Sequence, residues 1–500
     1  MTGSPLERLL VRLAEVNDLG KAATLLFWDQ RVKMPPGGAE ARAEALATVS
    51  RFAQERFIDE EVGWLLDELR GLEESSHYDS FEASLVRTTR RQYEKAVRVP
   101  PELVGEMRRA SALGLAAWGP AKEQSDFEQL RPQLETLLEL RHRYVECFPR
   151  PDETYDVLLD DYEPLMKTAD VRRVFAEVKD ELVPLIDEIR EAGDVDDSFL
   201  HGEFDAATQR RLALEILRAF GYSDDEWRLD ETPHPFMTTP GAGDIRLTTN
   251  FRPNDITALF ATMHEFGHGV YEWGVDRSFA RTPLHSGVSL AVHESQSRTW
   301  ENLVGRSRPF WTYWYEPLQA TFPDQLGQVD LDAFIRAINR AEPGLIRVDA
   351  DETTYSLHII LRFELEQDLV DGRLAVADLP EAWNARMAEY LGVEVPDDSR
   401  GVLQDMHWAA GSVGYFPTYA LGNVISVQIW ERALEDLGDL DERFERGEFG
   451  DLREWLREHL YVLGAKFTPQ ETIERVTGSP IDARPYLRYL RRKLAQPQPA

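Results

Sequence analysis

The 500-residue chain contains a single cysteine, Cys147, so no disulfide bond can form within it. The neighbours of Cys147, Glu146 and Phe148, offer no catalytic partner, which favours a buried, unreactive thiol over a nucleophile. The first twenty residues lack the uninterrupted apolar stretch of a secretory signal. Both features are typical of a protein in a reducing compartment, and we expect a cytoplasmic location.

Lysine is also scarce, with 8 lysines against 48 arginines. Acidic residues outnumber basic ones by 89 to 56, which gives a net charge of −33. This charge repels a phosphate backbone and disfavours anionic lipid surfaces, so we expect neither nucleic-acid binding nor membrane docking. No run of 18 apolar residues is present, so no membrane span is expected. The 43% hydrophobic content suffices for a large core and excludes global disorder.

Apolar residues recur at helical spacing through most of the chain, as in Leu6, Leu9, Leu10 and Leu13. This periodicity predicts a mainly α protein. We expect a single unit over residues 1–500.

The region near residue 234 departs from this helical pattern. Two short extended runs, 234–239 and 244–249, flank a Pro/Gly-rich turn and predict a small β-hairpin. A peptide could lie along its free edge as an added strand. Within the single unit, an N-terminal helical lobe (1–230) and a catalytic region (231–500) are expected.

The sequence His264-Glu265-Phe266-Gly267-His268 matches the H-E-x-x-H pattern. Apolar residues flank it at helical spacing, and Asn254 or Asp255 can cap the start of the helix. On one helix His264 and His268 leave the same face about 6 Å apart, close enough for both imidazoles to bind one Zn²⁺. Glu265 lies beside the ion, where a general base is needed. The alternative is two histidines on a helix face without a metal.

A catalytic zinc site needs a third protein ligand and an open position. Tyr271 and Gly274 stand where the metzincin extension requires Gly and His, so that extension is absent. Glu272 shares the motif helix but lies too far along its axis. Glu294 lies in a second helical pattern that a loop of about a dozen residues would return against the histidines. We therefore predict Glu294 as the third ligand, and we expect the adjacent His293 to point elsewhere.

The two metal-site motifs belong to a set of six short sequence signatures that follow one another along the chain. They are His234–Phe236, Asp244–Thr248, His264–His268, His293–Gln296, Ile346–Asp351 and Gly401–Trp408. With them, the chain resembles the carboxypeptidase Taq family of metallocarboxypeptidases over nearly its whole length.

The resemblance implies a mostly helical gluzincin-type metallopeptidase with a long substrate groove and a small β-hairpin or sheet beside the active site. It implies removal of single C-terminal amino acids from peptides with broad preference, usually by a homodimer. By motif match His264, His268 and Glu294 bind the metal, and Glu265 is the catalytic acid/base. The family metal is zinc, which cobalt (Co²⁺) can replace.

Two further roles are assigned from chemistry and the resemblance together. His407 and Tyr419 are predicted to stabilise the oxyanion of the tetrahedral intermediate, with Tyr415 close by as a substrate contact. Arg347 is predicted to bind the terminal carboxylate, because a guanidinium matches that group in a bidentate way. Arg246 and Arg298 are alternative carboxylate binders. The alternative is a purely structural role, in which Arg347 forms a salt bridge with Asp349, Asp351 or Glu352. These three residues are called its acidic neighbours below.

Two other functions remain open from the sequence. One is a dipeptidyl- or endo-acting zinc oligopeptidase with the same metal set, since the sequence does not show what blocks the groove. The other is an inactive peptide-binding homologue, against which the intact Glu265 argues.

Overall fold

The computed structural model describes residues 3–191, 193 and 195–494. In this part of the chain, the structure is mainly α-helical, as predicted. The helices are α1 (Pro5–Val32), α2 (Ala39–Phe57), α3 (Glu60–Glu68), α4 (Arg70–Ser75), α5 (Phe81–Arg98), α6 (Pro101–Gln124), α7 (Arg131–Glu146), α8 (Thr154–Leu159), α9 (Thr168–Glu191), α10 (Ala206–Phe220), α11 (Thr257–Gly274), α12 (Leu290–Arg298), α13 (Arg308–Thr321), α14 (Pro323–Leu326), α15 (Leu331–Ile338), α16 (Tyr355–Val370), α17 (Leu379–Leu391), α18 (Pro417–Leu437), α19 (Asp441–Phe444), α20 (Gly450–His459), α21 (Pro469–Thr477) and α22 (Arg484–Leu494). A π-helical turn over Thr299–Val304 continues α12. None of the helices in the described ranges combines the length and the apolar character that crossing a membrane requires.

The small sheet has three strands, β1 (Trp227–Glu231), β2 (Met237–Gly241) and β3 (Asp244–Thr249), in the order β1-β3-β2. The antiparallel pair β2–β3 confirms the predicted hairpin. Strand β1, which the sequence did not predict, pairs in parallel with β3. Strand β3 is therefore hydrogen-bonded on both sides, and only the outer edge of β2 is left for an added strand on the hairpin side. That edge is partly covered, because the Lys21 Nζ of α1 donates to the Thr239 carbonyl at 2.8 Å.

One large hydrophobic core extends from Leu103 to Leu490. A smaller core joins α1, α3 and α5 to the segment 275–284. Aromatic rings pack beneath the motif helix: the ring centroid of Phe220 lies 5.4 Å from that of Phe266 and 4.7 Å from that of Trp300. This packing buries one face of α11 and leaves its histidine face free for chemistry.

Helices α11, α12 and α18 approach one another very closely, and glycine makes each contact possible. A Cβ at Gly267 would lie 2.3 Å from the Gln296 carbonyl oxygen of α12. A Cβ at Gly422 of α18 would lie 2.5 Å from Cγ of Glu294. Any larger side chain at either position would move the backbones apart. The two glycines thereby set the distance between the motif helix and Glu294.

Candidate active site

The motif helix begins at Thr257, whose backbone N–H donates to Asp255 Oδ1 at 2.9 Å. The cap position is Ile256, which makes no side-chain capping bond, so the predicted cap at Asn254 or Asp255 is wrong by one residue, although Asp255 still stabilises the first turn. His264 and His268 lie on one face of α11 with ring centroids 4.9 Å apart. The predicted return of α12 against this face is observed.

His264, His268 and Glu294, called the metal cluster below, bring their ligand atoms within 4.8 Å of one another. Glu294 Oε2 is 3.7 Å from His264 Nε2 and 3.5 Å from His268 Nε2. Ligands at 2.0–2.2 Å in a tetrahedral zinc site are separated by about 3.4 Å. The spacing of the three atoms therefore suits a single small divalent cation.

Each histidine of the metal cluster is oriented by a hydrogen bond at its other ring nitrogen. His264 Nδ1 is 2.8 Å from Glu301 Oε2. A carboxylate only accepts, so the proton lies on Nδ1 and Nε2 keeps a free lone pair towards the ligand position.

His268 is oriented through an intermediate histidine. His268 Nδ1 is 2.7 Å from His293 Nδ1, and His293 Nε2 is 3.1 Å from Glu272 Oε1. The carboxylate of Glu272 fixes the proton on His293 Nε2, so His293 Nδ1 accepts from His268. His293 points away from the ligand position, as expected, and the tight packing of α12 on α11 turns its ring onto that of His268.

Glu294 is held by its own helix. Arg298 Nε donates to Glu294 Oε1 at 2.7 Å, and Ser297 Oγ donates to Oε2 at 3.1 Å. Burial would raise the pKa of this carboxyl, but Arg298 and the two histidines hold the pKa of Glu294 well below its usual range. Glu294 is therefore ionised at every pH at which the protein is expected to fold.

Glu265 is 6% exposed, and its Oε2 has no hydrogen-bond partner among the residues that the structure describes. Burial raises the pKa of Glu265 to about 7, and the charges of Glu294 and Glu301 act in the same direction. An unpaired buried carboxylate oxygen is costly unless a ligand satisfies it. Two imidazole nitrogens and one carboxylate oxygen that converge at these distances also form a donor set suited to a cation. Both observations show that the residues present fit a divalent metal.

His407, Tyr415 and Tyr419, called the His407 cluster below, lie together as predicted. His407 Nε2 is 3.3 Å from Tyr419 Oη, and the ring centroids of His407 and Tyr415 are 5.2 Å apart. Burial lowers the pKa of His407 to about 4 and raises the pKa of Tyr419 well above its ordinary value. At neutral pH the cluster therefore consists of an uncharged imidazole and a protonated phenol.

Tyr355 connects the two clusters. The guanidinium of Arg298 lies 4.7 Å from the centre of its ring, and the ring centroids of Tyr355 and Tyr419 are 6.3 Å apart. The Tyr355 hydroxyl accepts from Arg347 Nη1 at 3.0 Å. Arg298, Glu301 and Tyr355 also line a cavity of about 470 Å³ beside the metal cluster.

Arg347 is buried and its main partner is Asp405, with Nη2 donating to Oδ1 at 2.6 Å and Nε donating to the same carboxylate. Its carboxylate partner is thus in the Gly401–Trp408 signature and not among the acidic neighbours in its own segment. Asp405 also accepts from Arg362 Nε at 2.9 Å. Three of the five N–H groups of Arg347 are engaged by Asp405 and Tyr355, which leaves two N–H groups.

The two alternative carboxylate binders have other partners. Arg246 forms an ion pair with Asp244 of its own strand and lies over the ring of Trp28. Arg298 pairs with Glu294 and lies 3.3 Å from Glu301.

Sequence reasoning missed Glu301, and it considered Arg298 as an alternative carboxylate binder, whereas the structure pairs Arg298 with Glu294. One signal was available, because Glu294, Arg298 and Glu301 follow the i, i+4, i+7 spacing of one helix face. Charged residues of opposite sign at this spacing on one helical face can pair with one another.

Comparisons with known proteins agree over the whole chain. The sequence pattern of the carboxypeptidase Taq (M32) metallopeptidase family matches residues 8–494. Thermostable carboxypeptidase 1 of Thermus thermophilus is 41% identical, with 98% of each chain covered. Carboxypeptidase 1 of Bacillus subtilis is 37% identical over 96% of each chain.

Solved structures show the same architecture. An M32 carboxypeptidase from Deinococcus radiodurans superposes with a TM-score of 0.94 at 40% identity, covering 98% of both chains. A carboxypeptidase of Pyrococcus furiosus gives a TM-score of 0.95 at 35% identity, covering 99% of both chains. The chain therefore belongs to the carboxypeptidase Taq (M32) family of metallopeptidases and is a metal-dependent carboxypeptidase.

Proposed function

We propose that this enzyme removes single amino acids from the C-terminus of peptides with broad preference, with zinc held by His264, His268 and Glu294. The observation that carries the proposal is the convergence of three metal-ligating atoms beside the unpaired Oε2 of Glu265. Two imidazoles and one carboxylate form a ligand set typical of catalytic zinc, and Co²⁺ accepts the same geometry. A bound divalent cation supplies Lewis acidity at the scissile carbonyl and makes water a better nucleophile.

Glu265 is the general base and then the general acid of the proposed reaction. Burial raises its pKa, which favours the capture of a proton, and its Oε2 is placed to accept that proton from the attacking water and return it to the leaving amine. The low-polarity surroundings that raise this pKa also keep bulk water from competing for the proton.

His407 and Tyr419 are the proposed donors to the oxyanion. The raised pKa of Tyr419 keeps its hydroxyl protonated, and a neutral His407 can carry a proton on Nε2. A donor removed from such a position typically costs about 10²–10³ in kcat. Tyr415, whose ring centroid is 5.4 Å from that of Tyr419, is proposed to contact the substrate from the same side.

Arg347 is proposed to bind the terminal carboxylate through its two remaining N–H groups. Asp405 and Tyr355 fix the plane of the guanidinium, so little conformational entropy is lost when the substrate arrives. A rigid, planar donor pair suits the bidentate recognition of a carboxylate.

The family resemblance also supports a homodimer with zinc as the resident metal, and the lone Cys147 supports a cytoplasmic location. Light scattering tests the dimer directly, since the chain mass is 57.3 kDa. A dimer gives twice this value at micromolar concentration.

The test of the proposed function is the digestion of one mixed-sequence peptide, followed by mass spectrometry, with Zn²⁺ or Co²⁺ and with a chelator control. We expect a ladder that loses one C-terminal residue at a time and disappears with the chelator. Steps of two residues or internal cuts would instead support the oligopeptidase alternative. An intact peptide in the presence of bound metal would support an inactive peptide-binding homologue.

A further inference from the structure

The segment 392–416, which carries Asp405, His407 and Tyr415, contains no helix or strand. Local turn hydrogen bonds satisfy part of its backbone, and side chains from distant helices hold other backbone groups. Trp118 Nε1 donates to the Leu403 carbonyl at 2.9 Å, and Arg141 Nε donates to the Gly411 carbonyl at 2.8 Å. These contacts hold the segment at its flanks and at its middle.

A buried carboxylate, Glu366 of α16, holds the part of the segment nearest the chemistry. Glu366 is 1% exposed. Its Oε1 accepts from Trp408 Nε1 at 2.8 Å. Its Oε2 accepts from the Gly414 backbone N–H at 3.0 Å and from the Tyr155 hydroxyl at 2.5 Å.

Two of these donors, Trp408 and Gly414, are sequence neighbours of the proposed active-site residues. His407 directly precedes Trp408, and Tyr415 directly follows Gly414. One carboxylate thus binds both ends of the turn 408–414, from which the imidazole and the phenol emerge side by side. The Ser412 N–H closes the same turn on the His407 carbonyl at 2.8 Å.

The three partners of Glu366 are all donors in this arrangement, and two of them are N–H groups that cannot accept. A glutamine at position 366 would place its own NH₂ against Trp408 Nε1–H or, after a flip, against the Gly414 N–H. Either orientation sets two donors against each other in a buried site, so one end of the turn must move.

We propose that Glu366 is a positioning residue that fixes His407 and Tyr415 in register for the reaction by binding Trp408 and Gly414 together. This inference rests on the proposed function, because it gives His407 and Tyr415 their role in peptide hydrolysis. A shift of about 1 Å at such groups is enough to cost about 10²-fold in rate.

The first experiment compares Glu366→Gln, Trp408→Phe and the double variant E366Q/W408F with the wild type. We expect E366Q to lower kcat by about 10–100-fold while Zn²⁺ affinity changes by less than about threefold, since the metal cluster is on other helices. The double variant removes the opposed Trp408 N–H, so its kcat should exceed that of E366Q by at least about threefold. A general loss of stability would instead make the double variant worse than either single variant.

A matched pair of single variants keeps the test informative if E366Q does not fold. Tyr155→Phe and Trp408→Phe each remove one hydrogen bond to Glu366, but only Trp408 belongs to the turn. We expect Y155F to keep kcat within about twofold of the wild type and W408F to lower it by about fivefold. Equal effects of the two variants on kcat would contradict the proposal.

The proposed carboxypeptidase function and the positioning role of Glu366 can be tested separately. A wild type that releases no single C-terminal residues would overturn the proposed function. A wild type that does release them, with E366Q retaining more than half of its kcat or the double variant showing no recovery, would overturn the positioning role alone.

Discussion

His264, His268 and Glu294 project from helices α11 and α12, whereas His407 and Tyr415 project from the non-helical segment 392–416. In the metal cluster the i, i+4 spacing of a helix sets two of the three positions, and a glycine contact sets the third. In the His407 cluster the backbone is placed by buried carboxylates and arginines far away in sequence. One active site thus combines a metal cluster that depends mainly on local helix geometry with a His407 cluster that depends on tertiary contacts.

The largest expected effect comes from removing the proposed general base while leaving the metal cluster intact. Glu265→Gln removes the proposed base but no metal ligand, so we expect kcat/KM to fall by about 10²–10⁴ with metal content unchanged. Glu123→Gln, at an exposed position of α6, is the matched control and should be neutral. More than a tenth of wild-type activity in E265Q, measured on a short peptide, would assign the base elsewhere.

The second prediction concerns Gly422, through which α18 packs against the Glu294 side chain. Gly422→Ala adds a methyl group 2.5 Å from Glu294 Cγ and must displace the ligand or the helix. We expect Zn²⁺ affinity to fall by about 10–100-fold and stability by about 1–3 kcal/mol. Gly105→Ala is the control, because this helical glycine has open space around it. Chelator competition and thermal melts give both quantities, and equal metal affinities for the two variants would contradict the prediction.

The third prediction compares the two histidines within the metal cluster. Glu301 contacts His264 directly, but Glu272 acts on His268 through His293. We therefore expect Glu301→Gln to weaken Zn²⁺ binding by about tenfold and Glu272→Gln by less. The same chelator competition ranks the Zn²⁺ affinities of the two variants. The reverse order would show that the hydrogen bonds through His293 stabilise the bound metal more than the direct contact of Glu301 with His264.

The smallest effect concerns Glu163, which holds the N-terminus of α12. Its Oε1 accepts from the Ala291 N–H at 2.6 Å, and its Oε2 has no hydrogen-bond partner within the described part of the chain. Burial raises the pKa of Glu163 to about 8, well above the ordinary 4.5. Between these two values the folded state binds the extra proton, so this group's contribution to stability is lost as pH rises through about 8.

Glu163→Gln mimics the protonated form at every pH. We expect the excess of its melting temperature over that of the wild type to grow by roughly 2–4 °C between pH 6 and pH 9. Scanning calorimetry at both values measures the difference. A constant offset between the two proteins across this range would show that Glu163 does not titrate there.

The sequence by itself determined the metal cluster and the helical class. The i, i+4 histidines, the acid between them and the returning Glu294 are local patterns, and a helix converts such spacing directly into geometry. The hairpin around residues 240–243 followed from turn chemistry in the same way. Strand β1 was missed because its pairing with β3 is a parallel, non-local contact.

Only the tertiary structure decided which partners the charged residues take. Arg347 pairs with Asp405, and His293 lies against His268. Each of these contacts joins side chains whose direction depends on how close two helices or a helix and a loop can pack, and glycines such as Gly422 set that distance. A buried polar group pairs with the partner that packing places beside it. Leaving it unpaired costs more free energy than a local conformational preference contributes.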